Sequence, residues 1–224
     1  AYWEEQDLAD GRWDDAVSYW RGVLARPLPK LKAPKSLRAR AHQHSFVLSA
    51  ERLSGLRDVA KSHKTSLNVL LLELYARTLG KVPDLVQSDE LLVRIPIAAR
   101  TPATEPIVGS FADALALRVS CRHPSISTSI QTTHDALYDG LANQAPYSLL
   151  WRELQWNPAE LMELNQVILN LEQTIAIQDN GAPLGSTFNV EPIADESEGP
   201  IYTTVRSMLS LNASAHGTFL GQWL

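Results

Sequence analysis

The stretch Leu91–Arg118, LLVRIPIAARTPATEPIVGSFADALALR, decides how the chain is read. Leu91, Leu92, Val93, Ile95 and Ile97 form an apolar, partly β-branched run broken only by Arg94 and Pro96, the composition of a buried strand. Proline has no N–H to offer a ladder, so the regular strand is expected to end at Pro96 or to lie at a sheet edge. Arg100 is the first cation after the run. A loop follows, Gly109-Ser110-Phe111 turns the backbone, and Ala114–Val119 resumes an apolar run interrupted by Arg118. Chemistry collects where strands give way to loops, because a rigid sheet then aims a short segment.

Upstream of this core, residues 13–25 (WDDAVSYWRGVLA) carry Trp13, Val17, Trp20 and Leu24 at helical spacing, with Asp14 and Asp15 where the helix dipole favours negative charge. Pro27 and Pro29 stop that helix, and a basic, proline-bearing linker runs from Leu28 to Arg40. His44–Leu48 is a short strand candidate with Phe46 and Leu48 on one face. Ser49 is placed to cap a helix over Ala50–His63 with Leu53, Leu56 and Ala60 facing inward. Lys64 breaks away, and Thr65 or Ser66 caps a helix over Leu67–Leu79 that is apolar nearly all round, so a buried central helix is expected.

Downstream, Ser127–Leu141 reads as a helix with Ile130, His134, Leu137 and Leu141 near one face. Asn143-Gln144-Ala145-Pro146-Tyr147 breaks the chain before a short helix to Leu154. Val167–Leu171 is a buried strand carrying one amide, Asn170. A polar loop spans 179–199, and Thr203–Ala213 and Phe219–Leu224 look like the strands of a hairpin. The fold class these elements give is α/β, a mixed β-sheet with helices packed on one face.

Composition removes several classes of function. The chain has 224 residues, 45% of them hydrophobic and 20% charged, ordinary values for a globular protein. A net charge of −5 with scattered Lys and Arg leaves no footprint for nucleic acid. Nothing approaches the ~18 consecutive apolar residues that span a bilayer, and the first residues show no signal peptide. One cysteine, Cys121, excludes an internal disulfide and fits a reducing cytoplasm; it reads as a small buried hydrophobe rather than a nucleophile. Phosphate-loop, dinucleotide and hydrolase-elbow motifs are absent. His42 and His44 alternate without a third ligand, so no metal site is expected.

Two patterns in the central stretch resemble a known family. Asp89, Val93, Pro96, Ala98 and Arg100, followed by Gly109, Phe111, Leu115, Leu117 and Arg118, look like the central motifs of nonribosomal peptide synthetase condensation domains, which share the chloramphenicol acetyltransferase-like fold. The N-Q-x-P-Y-x-x-L run from Asn143 to Leu150 and the helix carrying Tyr19, Trp20 and Leu24 resemble further parts of the family, as does the helical pair over 50–79. Asn157-Pro158 echoes another motif without the arginines and serine expected before it. The family's catalytic signature, His-His-x-x-x-Asp-Gly, is missing. His134 with Asp139-Gly140 is one residue too long and lies in a predicted helix, a decoy.

The resemblance therefore implies one lobe of the family's fold. Residues 1–40 would be an opening helix and proline-rich crossing segment, and 41–224 the C-terminal lobe proper, with no catalytic residue and no metal ligand in this chain. Complete condensation domains join two carrier-protein-bound thioesters in a tunnel between two lobes. Each substrate enters on the phosphopantetheine of a carrier protein, and no cofactor is bound covalently by the domain. The implied partners are an N-terminal lobe bearing the histidine signature and peptidyl or acyl carrier proteins; nucleic acid and membrane are not among them. By motif position Arg100 would support the active site by pairing with that signature's aspartate, against the plainer reading of a surface arginine at a strand end. Without the aspartate it is expected to be solvated or re-paired. Asn170 would line the tunnel, or be a satisfied core amide, and Gly109, Ser110 and Phe111 would shape the tunnel wall. Asp113 stands where the family has Asn, and Arg94 where it has Gly. Two alternatives stay open: a non-catalytic platform for a carrier protein or tailoring enzyme, and a lobe of a related acyltransferase.

Overall fold

The computed structural model describes residues 10–25, 27–32, 42–82, 85–100, 102, 104–109, 111–164, 166–172, 209–214 and 218–223. Twelve elements are assigned there: α1 (Asp14–Val23), β1 (His42–Val47), α2 (Ala50–Ser62), α3 (Leu67–Gly80), β2 (Glu90–Ala98), β3 (Ala112–Ser120), α4 (Ile126–Ala142), α5 (Tyr147–Glu153), α6 (Pro158–Leu164), β4 (Val167–Glu172), β5 (Leu209–Ser214) and β6 (Thr218–Trp223). The predicted loop at 179–199 and the start of the hairpin at 203–208 lie outside the described residues.

The strands form one mixed sheet in the order β1-β6-β5-β4-β2-β3. β4 runs parallel to both β2 and β5, and the other pairs are antiparallel. Parallel neighbours need a crossover, and the α4–α6 segment supplies it between β3 and β4. Paired residues point to the same side of a sheet, so the register sorts its two faces. One face carries Leu91, Val93, Ile95, Leu115, Leu117, Val119, Val167 and Leu169, all buried. Helix α4 packs on this face, where a Cβ on Gly140 would stand 2.9 Å from Leu117 and 3.3 Å from Trp20. α3 packs on α4 and β3.

Local chemistry sets the helix ends. Ser49, Ser66 and Ser125 each accept the amide three residues on with their Oγ, satisfying a free N–H at the start of α2, α3 and α4. Between α2 and α3, Lys64 takes φ +53°, the left-handed turn that breaks the two helices apart. α6 is an element the periodicity does not reveal. Asn157 Oδ1 accepts from the Glu160 amide at 3.1 Å, Glu160 Oε2 accepts from the Asn157 amide at 3.0 Å, and Pro158 stands first in the helix, a reciprocal capping box.

Pro96 departs from expectation. β2 runs through it to Ala98, and β2 is internal, between β4 and β3. Pro96 faces Ala114, with Ile95↔Leu115 and Ile97↔Asp113 paired on either side. One missing donor is tolerated because the ladder is held before and after it. β1 also ends at Val47, one residue earlier than expected, since Ser49 is taken up by the helix cap.

Candidate active-site lobe

Arg100 lies two residues beyond β2, exposed, with its guanidinium wrapped by the loop that follows. Nη1 donates to the carbonyl oxygens of Thr104 (2.9 Å), Ile107 (2.9 Å) and Glu105 (3.3 Å), and Nη2 to that of Gly109 (3.2 Å). Its Cζ sits 4.3 Å from the centre of the Phe111 ring, a cation–π distance. The strand stem closes beneath this arrangement through the Ala99 amide, which donates to the Phe111 carbonyl at 2.8 Å. Arg100, Gly109 and Phe111 therefore form one cluster. A Cβ on Gly109 would stand 3.3 Å from the Phe111 ring, so the absence of a side chain lets the loop close over it. Ser110 lies outside the described residues.

Asn170 is on β4. Ile168, two residues earlier, pairs with Arg94 of β2, and Asn170 itself pairs with Asn212 of β5. The register continues from Asn212 to Leu220 and from Leu220 to Ser45. Arg94, Ile168 and Asn170 share the sheet face opposite Leu169 and Leu117. Asn170 and Ile168 are half-buried where Val167 and Leu169 are closed off.

A second cluster did not stand out in the sequence. Arg94 places its guanidinium carbon 5.2 Å from the centre of the Tyr147 ring. The carboxylate of Asp113 accepts the Tyr147 amide at 3.1 Å and its neighbour's amide, Ala114, at 2.8 Å, holding the start of α5 to the start of β3. Burial pushes the Tyr147 phenol up, with nearby Asp113 adding to the rise and Arg94 opposing it. Arg94 and Asp113 each depart from the family's pattern, which is a signal in itself, but their meeting at Tyr147 depends on the crossover.

The remaining candidates settle as structural groups. His134 lies on the outer side of α4, with Nδ1 3.2 Å from Asp135 and its ring 4.4 Å from that of Tyr138. Asp139-Gly140 is explained by packing, since Trp20 and Leu117 fill the space beside Gly140. Burial raises the Cys121 thiol pKa, and Sγ lies 3.4 Å from the Ser88 carbonyl, which leaves it a weakly hydrogen-bonded hydrophobe. Arg118 donates to the Ala25 carbonyl at 2.6 Å and pairs with Glu90 at 3.3 Å, fastening the chain after α1 to the sheet edge. Among the described residues, no group of three His, Cys, Asp or Glu side chains could hold a metal ion, and no helix is long and apolar enough to cross a membrane. A hollow of about 470 Å³ between α1 and the end of α5, lined by Arg21, Leu24, Ala25, Glu153, Leu154, Gln155 and Trp156, shares no residue with the Arg100 cluster.

Comparison with known proteins bears on the family and the fold. The Condensation domain family matches residues 1–200. Surfactin synthase subunit 1 of Bacillus subtilis (strain 168) is 29% identical over 125 residues, which cover 53% of this chain and 3% of that protein. A plipastatin synthase of the same organism is 24% identical over 188 residues, 77% of this chain and 5% of that one. The chain thus spans a small fraction of the curated relatives' length. Among solved structures, the condensation domain of the monacolin K polyketide synthase MokA aligns over 98% of this chain and 54% of its own, with a TM-score of 0.69 at 18% identity. The X-domain from teicoplanin biosynthesis, solved in complex with OxyB, aligns over 99% of this chain and 50% of its own, with a TM-score of 0.73 at 15% identity. The chain belongs to the condensation-domain family and has the chloramphenicol acetyltransferase-like fold of that family.

Proposed function

We propose that this chain is the C-terminal lobe of a nonribosomal peptide synthetase condensation domain, with residues 1–40 as opening helix and crossing segment and 41–224 as the lobe proper. Joined to an N-terminal lobe bearing His-His-x-x-x-Asp-Gly, it forms the amide bond between donor and acceptor thioesters carried on the phosphopantetheine arms of two carrier proteins, in the cytoplasm. The observation that carries this reading is the extent of the structural match: nearly all of this chain aligns with about half of each condensation-type structure. The candidate residues agree with it, because Arg100 offers donors, and its hydrogen-bond acceptors among the described residues are backbone carbonyls rather than a base. Alone, the lobe supplies Arg100 as support and Asn170, Gly109, Ser110 and Phe111 as tunnel wall, and makes no product.

The test is a condensation assay with carrier-bound donor and acceptor, product read by mass spectrometry, using this chain alone and then joined to an N-terminal lobe. Product only from the joined lobes supports the proposal. Product from this chain alone overturns it, because a base would then have to lie within these 224 residues. A second reading, a non-catalytic platform for a carrier protein or tailoring enzyme, draws support from the similarity to an X-domain solved in complex with another protein, OxyB. It predicts no product from either preparation, together with measurable binding of a partner enzyme.

A further inference from the structure

The 104–109 loop has an arrangement that its sequence does not explain. Its tip is apolar and exposed: Val108 is fully solvent-accessible and Ile107 nearly half so. Residues 105–109 are exposed, and within the loop the Ile107 amide donates to the Thr104 carbonyl at 3.1 Å. What gathers its carbonyls is one guanidinium. The acceptors on Thr104, Glu105, Ile107 and Gly109 all converge on Arg100, and Phe111 backs the charge from the far side. All of these hydrogen-bonding acceptors are neutral. A guanidinium matches a carboxylate better than a set of carbonyls, since the planar fork meets two charged oxygens at once. Three of the four carbonyls also share the single nitrogen Nη1, which has two N–H groups to give.

We propose that the 104–109 loop is a strap folded on the Arg100 guanidinium, and that a carboxylate reaching Arg100 releases it. The strap and the carboxylate compete for the same donors, so occupation of Arg100 by a carboxylate changes how Ile107 and Val108 are presented. The mechanism belongs to this chain's own loop and goes beyond the condensation reading, and it is testable whether or not amide formation is observed.

The experiment is amide hydrogen exchange on the full chain, following Ile107 and using the Cys121 amide, bonded to the Asp89 carbonyl at 2.8 Å, as an internal control for the β2–β3 pair. Arg100→Ala is expected to speed exchange at Ile107 at least about tenfold and leave Cys121 unchanged, with Arg100→Lys intermediate because an ammonium cannot span the same carbonyls. Sodium acetate, compared with sodium chloride at equal ionic strength, is expected to speed Ile107 exchange in the unmodified chain and to do nothing further in Arg100→Ala. Unchanged Ile107 exchange in Arg100→Ala overturns the strap. Acetate acting no differently from chloride overturns the release.

Discussion

Trp20 donates its indole N–H to the carbonyl oxygen of Asn143 at 2.8 Å while its ring occupies the space beside Gly140. One side chain of α1 thereby caps the end of α4 and packs on its last turns. Trp20 is fully buried. Gly140→Ala would push a methyl to 2.9 Å from Leu117. Overpacking costs about 1–3 kcal/mol, offset by about 1 kcal/mol of helix propensity, so urea unfolding should show a net loss. Trp20→Phe should lose about 1 kcal/mol through the missing hydrogen bond, and Trp20→Ala about 3–5 kcal/mol. A stabilised Gly140→Ala would contradict the packing described.

Glu73 supports a second prediction. It is fully buried between α3 and α4, where it accepts from Ser129 Oγ at 2.5 Å, Thr133 Oγ1 at 2.9 Å and Arg77 Nε at 3.1 Å. Glu73→Leu leaves the two hydroxyls and the arginine without their acceptor and should cost about 3–5 kcal/mol. Adding Ser129→Ala and Thr133→Val removes the stranded hydroxyls, and apolar replacement of a whole buried network is often near neutral. The triple variant should therefore recover much of the loss in denaturant melts. A triple variant no better than the single one would show that the ion pair with Arg77 carries the energy.

The tyrosines predict the alkaline limit of stability. Burial holds the Tyr75 phenol far above its ordinary value, and Tyr147 is raised in the same direction. In the unfolded chain both lose their protons near pH ~10, whereas the folded chain keeps them. Above that pH the unfolded state binds fewer protons, so stability falls as pH rises and is fully present below it. Tyr75→Phe should flatten the fall between pH ~10 and pH ~12 in unfolding experiments. An identical slope in the variant would mean that Tyr75 ionises freely in the fold.

These residues also mark how far the sequence could be read. The strands, the serine caps at Ser49 and Ser66 and the buried α3 follow from periodicity and side-chain chemistry, both local. Glu73 was hidden because one carboxylate in an apolar helix looks like a solvated position until its hydroxyl partners on α4 arrive from more than fifty residues away. Pro96 was expected to end its strand or to put it at a sheet edge, because a single-residue rule takes no account of paired neighbours. α6 was legible in principle from Asn157-Pro158 and Glu160, but seven residues give too little periodicity to register. At Arg100 the difficulty is deeper. Its acceptors are backbone carbonyls, which every residue has, so no side chain announces them.

Asn170 offers a prediction that separates tunnel from core. It is half-buried on the sheet face opposite Leu169 and pairs in register with Asn212. If it lines a channel in the joined condensation domain, Asn170→Ala should lower product formation while chain stability stays within about 0.5 kcal/mol of the original, as for substitutions outside the core. If it is instead a satisfied structural amide, the same change should cost about 1–3 kcal/mol by stranding its partner, with product falling only as folded protein is lost. Product yield per folded molecule, set against the denaturation midpoint, distinguishes the two. Asn170→Asp sharpens the comparison: it keeps the size and the acceptors but removes the amide donor. In a channel it should impair turnover at unchanged midpoint, and a lowered midpoint with normal turnover per folded molecule would assign Asn170 to the core.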